Sequence, residues 1–227
     1  MDLSAPLRTI APSLDSAVLE VLAGTESGLS ATRIARLSRR GTRAGQWPVL
    51  NRLVEHGLVV AEPANTGFLY RLNADHVLAP AVLSAVRART EVLTRLGSAV
   101  SQLMPAPVHA SVFGSFAGRE ADEHSDIDLL VVVPDDVDLR DETWLDQMHQ
   151  LSAKVLTWTG NRLESLVYSQ SRLREIAQSG EPIVTSWQQD GVTIHGWALG
   201  ELMNPPRMRS GQSRRRREPA STAGGAP

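Results

Sequence analysis

Two aspartates, Asp126 and Asp128, open the run DIDLLVVV, and a Gly-Ser pair, Gly114-Ser115, closes the run HASVFGS, with the serine eleven positions ahead of the first aspartate. Both runs are short, apolar and β-branched, the pattern of strands buried on both faces. Residues two apart on a strand share a face. The two carboxylates therefore project together, about 6.6 Å apart along the chain, while Ile127 and Leu129 point the other way into apolar packing. Paired carboxylates at a buried edge repel one another and lose hydration, and a cation between them relieves both. Magnesium suits an all-oxygen pair that leaves positions open for water and phosphate oxygens. Gly114, lacking Cβ, lets a phosphate approach the backbone, and Ser115 can donate its hydroxyl and amide where the next turn begins.

Gly-Ser, a spacer and then Asp-apolar-Asp-apolar resembles the signature of the DNA polymerase β-type nucleotidyltransferase superfamily, and more closely its small bacterial members. The resemblance implies an EC 2.7.7-type enzyme with an NTP, ATP among them, as substrate. It implies nucleotide binding for Gly114 and Ser115, at the β- and γ-phosphates, and metal binding for Asp126 and Asp128, with two Mg2+ ions. Two such ions would activate the attacking oxygen and neutralise the leaving pyrophosphate. Small members of the family read Gly-Ser-x-Ala-Arg-Gly. Here Gly118 precedes Arg119, so the arginine expected to bind the nucleotide is displaced by one position. A third acid on a later strand is usual in the superfamily, and Glu164, in the predicted strand NRLESLVYS, is the candidate. It would serve as metal ligand or as base on the incoming hydroxyl. The alternative for Glu164 is an exposed strand-edge glutamate.

The elements that must position these residues follow from the rest of the pattern. With 227 residues and 42% hydrophobic content, the chain can bury two small cores. From Leu14 to Asn73 the order reads helix, helix, helix and hairpin. Leu14, Val18, Leu19 and Leu22 repeat at helical spacing up to Gly24; Ser30 can cap a second helix that ends at Gly41. A third runs from about Thr42 to His56-Gly57, and LVVAEP and GFLYRL form a hairpin around ANTG. This order resembles a winged helix-turn-helix of small bacterial repressors. Six arginines and no acid lie between Glu26 and Glu55. Arg33, Arg36, Arg39, Arg40, Arg43 and Arg52 fall where such a module meets phosphates, and Gln46 and Asn51 where it meets base edges, with Trp47 expected inward. Double-stranded DNA is the expected partner; a basic face on a protein-interaction module is the alternative.

The expected fold class is α+β. A winged helix-turn-helix domain covers 1–76, a connecting helix 77–104, a mixed α/β nucleotidyltransferase domain 105–203 and a disordered basic tail 204–227. Val82, Val86, Leu93, Leu96, Val100 and Leu103 recur along the connecting helix, with Arg89 interrupting the series. This stripe either packs the two domains together or forms a homodimer seam. Cysteine is absent, which excludes disulfides and thiolate metal sites and fits a cytoplasmic protein. No apolar run approaches the roughly 18 residues of a membrane span, and the six histidines show no zinc-site spacing. The functional expectation is a Mg2+-dependent transferase moving an NMP group from an NTP to an acceptor hydroxyl, on a protein or RNA or an aminoglycoside-like drug. Two alternatives stand beside it: a transcription regulator whose transferase-like domain senses nucleotide, and an antitoxin-type protein that adenylylates a partner toxin.

Overall fold

Three hydroxyl side chains start the helices of the amino-terminal unit. Ser13, Ser30 and Thr42 accept from the backbone N–H groups of Asp15, Arg33 and Gly45, and so cap α2 (Leu14–Ala23), α3 (Ala31–Ser38) and α4 (Arg43–Glu55). A short α1 (Leu7–Ile10) precedes them. The computed structural model describes residues 1–118 and 122–204. The reversal between α3 and α4 uses left-handed backbone at both Arg39 (φ 52°) and Gly41 (φ 69°), so α3 stops before the glycine expected to end it. β1 (Leu29–Ser30), β2 (Val59–Ala64) and β3 (Gly67–Leu72) form an antiparallel sheet in the order β1-β3-β2. Val59 pairs with Leu72 and Ala64 with Gly67, leaving Asn65-Thr66 as the hairpin loop. Val18, Leu22, Ile34, Leu50, Leu53 and Tyr70 make the core of this unit.

The connecting segment is not one helix. α5 (Ala79–Val86) and α6 (Ala88–Val100) are separated at Arg87, whose φ and ψ of −79° and −4° loosen one turn. The two halves serve different cores: Val82 packs with the amino-terminal unit, whereas Val92, Leu96 and Val100 are buried in the second. Of the stripe that either packs the units together or forms a seam, Val82, Leu96, Val100 and Leu103 are buried within the chain, and Val86 and Leu93 partly so. Leu3 is also fully buried in the second core, although it lies within the 1–76 segment expected to form the first domain.

The second unit is built on β4 (His109–Phe113), β5 (Ile127–Val133), β6 (Leu163–Ser169) and β7 (Val192–Gly196), in the order β6-β5-β4-β7. β5 and β6 are parallel, joined by α8 (Glu142–Thr159); the other pairs are antiparallel. Ile127, Leu129 and Val131 face α6 and α8, while Leu130 and Val132 face Leu173, Ile176, Val184 and Trp187 of α9 (Gln170–Ser179) and α10 (Pro182–Gln189). The central strands are covered on both sides, which explains their unbroken apolar runs. The last element, α11 (Leu199–Met203), closes the second face; Arg119 and the expected tail beyond Asn204 lie outside the described residues. Among the described residues no helix is long and apolar enough to cross a membrane.

α6 meets β7 at a glycine. A Cβ on Gly97 would stand 2.7 Å from the Ile194 carbonyl oxygen, a backbone atom that cannot swing aside. Gly97→Val should therefore destabilise the protein by about 1–3 kcal/mol, the range of overpacking, despite any gain in helix preference. Urea unfolding measures it, and a variant as stable as the parent would disprove the close packing of α6 on β7.

Candidate active site

β4 ends where the chemistry begins. Phe113 is the register partner of Asp128, and the next residue, Gly114, turns the chain with a left-handed φ of 68° into the short helix α7 (Gly114–Gly118). A Cβ at Gly114 would collide with the Asp128 carboxylate. Glycine is required twice over here, by the backbone angle and by the space it yields to the acid. Ser115 follows, half-buried.

Asp128 sits within β5, half-buried, on the face that carries Leu130 and Val132. Asp126 lies just before the strand and is exposed. The two-residue period puts it on the same side as Asp128. β6 adds the third acid. It runs parallel to β5 with Glu164 as the register partner of Asp128, so the two side chains stand beside each other on one face of the sheet. Glu164 is exposed at this edge strand, yet its charge reaches Asp128. Burial pushes the Asp128 carboxyl above the usual aspartate range, and the charges of Asp126 and then Glu164 push it further. An all-oxygen donor set in which one acid resists ionisation is a set that a hard divalent cation suits. Among the described residues no three such side chains converge into a ready-made cage, so water and phosphate oxygens would have to complete an ion's shell.

The approach to Asp126 is held by a residue that the sequence pattern did not single out. Asn161 is almost fully buried after the left-handed Gly160 that ends α8, and its Nδ2 donates to the Ser125 carbonyl at 2.9 Å. The Ile127 N–H donates to the Arg162 carbonyl, also at 2.9 Å. The strand start that carries both aspartates is thereby stitched to the strand that carries Glu164. A buried asparagine directly after a helix-ending glycine was the available signal.

The arginine-rich segment shows a different arrangement from the one expected. Arg33, Arg36, Arg39, Arg43, Asn51 and Arg52 are exposed and Arg40 is partly buried. Arg52 is paired with Asp15 of α2. Gln46, expected at base edges, is buried instead, its Nε2 donating to Ser38 Oγ at 2.6 Å and to the Arg40 carbonyl at 2.7 Å. Trp47, expected inward, is 44% exposed. The cause is helical phase: Gln46, Leu50 and Leu53 share the inner face of α4, which leaves Trp47 and Asn51 away from it, while Arg43 is exposed as the first residue of the helix.

Residues 93–179 match the family model described as a nucleotidyltransferase domain. The matched span contains Gly114, Ser115, Asp126, Asp128 and Glu164, and it supports placing this part of the chain in the nucleotidyltransferase superfamily, with nucleotidyl transfer as its general chemistry. No curated protein matches the chain.

The raised Asp128 carboxyl makes a pH prediction. A carboxyl whose folded pKa lies above its unfolded value of 3.8 destabilises the folded state once both forms ionise. The penalty is absent below that value and grows as pH rises through the raised one. In metal-free buffer Asp128→Asn should therefore melt above the parent at pH 7, and the difference should close as the pH falls to about 3.8 or below. A variant melting at or below the parent at neutral pH would contradict the crowding of the three acids.

Proposed function

We propose that the second unit is a Mg2+-dependent nucleotidyltransferase that moves an NMP group from an NTP to an acceptor hydroxyl. The pairing of Asp128 with Glu164 across β5 and β6, with Asp126 on the same side and Gly114 against Asp128, is the observation that carries this reading. In it, the bare backbone at Gly114 admits the triphosphate and Ser115 donates its hydroxyl to a phosphate oxygen. Asp126 and Asp128 would hold two Mg2+ ions, with Glu164 as the third ligand or as the acceptor of the hydroxyl proton. The ions would supply charge neutralisation on the phosphate oxygens. A bond forms between the acceptor oxygen and the α-phosphorus, the bond from that phosphorus to its bridging oxygen breaks, and pyrophosphate leaves. Asp128, half-buried and beside two other acids, is the group whose affinity for a cation gains most from this crowding.

The amino-terminal unit fits a winged helix that binds duplex DNA. Three capped helices lead into a hairpin, and exposed arginines cluster on α3, the following turn and α4. The exposed side of α4 presents Trp47 and Asn51, with Arg43 at its first turn, so Asn51 keeps its base-reading role and Trp47 takes the place of Gln46. On this reading the protein delivers transferase chemistry to nucleic acid or to its neighbours, in the cytoplasm.

Two experiments test the two halves. Incubation with each radiolabelled NTP, Mg2+ and a cell lysate should place label on one class of acceptor. Asp126→Asn and Asp128→Asn should abolish the transfer, and Glu164→Gln should slow it by roughly 10²-fold or more. Unchanged transfer in either aspartate variant would sink the assignment. For the amino-terminal unit, binding to duplex fragments should weaken steeply with salt. Arg36→Ala with Arg43→Ala should flatten the log-log slope by about 0.9 for each phosphate that the variant no longer neutralises. A parent protein without salt-dependent duplex binding would make this unit a protein-interaction module.

A further inference from the structure

Arg89 interrupts the apolar series of α6, and it does so in order to reach the Gly-Ser turn. Its Nη2 donates to the carbonyl oxygens of Phe116 at 2.9 Å and Ala117 at 3.1 Å. Its guanidinium carbon stands 5.1 Å from the centroid of the Phe116 ring, which is itself fully buried in the second core. α7 spans five residues, too short to hold its own shape, and its conformation must come from what it is packed and bonded to. Phe116 anchors it from inside. Arg89 fixes the two carbonyls that a one-turn helix would otherwise leave to solvent, with charge-assisted bonds that a neutral donor would not match.

We infer that Arg89 is a positioning residue for nucleotide binding, which rests on the transferase reading above: it acts through the carbonyls of Phe116 and Ala117 to hold Gly114 and Ser115 in place, without touching the nucleotide. The geometry separates this role from plain packing. The aliphatic stem and the contact with Phe116 can be kept by another long side chain, but the two adjacent carbonyls are held by one charged nitrogen, Nη2, which an apolar side chain cannot replace.

Arg89→Met keeps the stem and removes the donors, while Arg89→Lys returns the charge and N–H donors on a shorter side chain without the planar guanidinium. Calorimetric titration with each of the four ribonucleoside triphosphates, in the presence of Mg2+, reads the effect on the bound nucleotide. Arg89→Met should bind the parent's preferred nucleotide about tenfold more weakly, in the range of a lost charge-assisted hydrogen bond, with a melting temperature close to the parent's. Arg89→Lys should fall between the two. Amide hydrogen exchange at residues 114–118 should quicken in Arg89→Met while the rest of the second unit keeps the parent's protection. Parent-like affinity and exchange in Arg89→Met would overturn the positioning role and leave the transferase reading standing. Weakened binding that merely tracks a general loss of protection would make Arg89 a packing residue and overturn it as well. A parent that binds none of the four nucleotides would overturn the transferase reading and this inference with it.

Discussion

The approach of the Asp128 carboxylate to the Gly114 backbone is the constraint on which the rest of the site depends. A strand end and an acid from the neighbouring strand occupy the same small volume, and only a residue without a side chain lets them. That contact ties together two features that lie fourteen positions apart in the chain, the turn proposed to admit phosphates and the acid proposed to hold a cation. It also sets the electrostatics. Asp128 is too enclosed to be well hydrated and too close to Asp126 and Glu164 to ionise freely. The fold keeps this unfavourable arrangement because β5 is buried on both faces along its remaining length, and the packing of Leu130 and Val132 on one side and Leu129 and Val131 on the other holds the strand in register.

Register is what makes the third acid part of the same site. β6 is an edge strand and Glu164 is exposed on it, so burial alone would class the residue as ordinary surface. Its place opposite Asp128 is set by Leu163 beside Ile127 at one end and Ser169 beside Val133 at the other. A slip of one residue would send the carboxylate to the opposite face of the sheet. Asn161 guards against that slip where it matters. Its bond to Ser125 and the bond from Ile127 to Arg162 pin the two strand starts to each other just ahead of the acids.

Much of this was legible in the sequence, because the decisive features are local. Glycine, serine and an alternating acid pair on apolar runs identify strands and a turn without tertiary information, and the capped helices and the hairpin announce themselves through Ser13, Ser30, Thr42 and the Asn65–Gly67 turn. What failed did so for tertiary reasons. Hydrophobicity assigns Trp47 inward and Gln46 outward, but Leu50 and Leu53 decide which side of α4 faces the core, and Gln46 is on that side. The Nε2 end of its buried amide is satisfied because Ser38 and the Arg40 carbonyl accept from it, whereas its Oε1 is buried without a hydrogen-bond partner. The division of the connecting helix was equally invisible, since a single apolar stripe fits one core as well as two. The pairing of Glu164 with Asp128 required a register that no composition or period encodes.

The two units are joined in two places, and the joints lie close together. The chain passes from Leu3 in the second core to Leu7 in the first; just ahead of Leu3 the buried Asp2 accepts from the N–H groups of Ser4 and Ala5 and pairs with Arg8, while the Leu7 N–H is taken up by Glu20 of α2. The second joint is the bend at Arg87, where α5 leaves the first core and α6 enters the other. α1 lies against α5, so these crossings flank one another instead of forming separate flexible tethers. Arg89 stands two residues past Arg87 and donates to the Phe116 and Ala117 carbonyls of α7, the helix that Gly114 and Ser115 begin. α5 passes the chain from one core to the other with little break at Arg87, whose N–H donates to the Leu83 carbonyl and whose own carbonyl accepts from the Glu91 N–H.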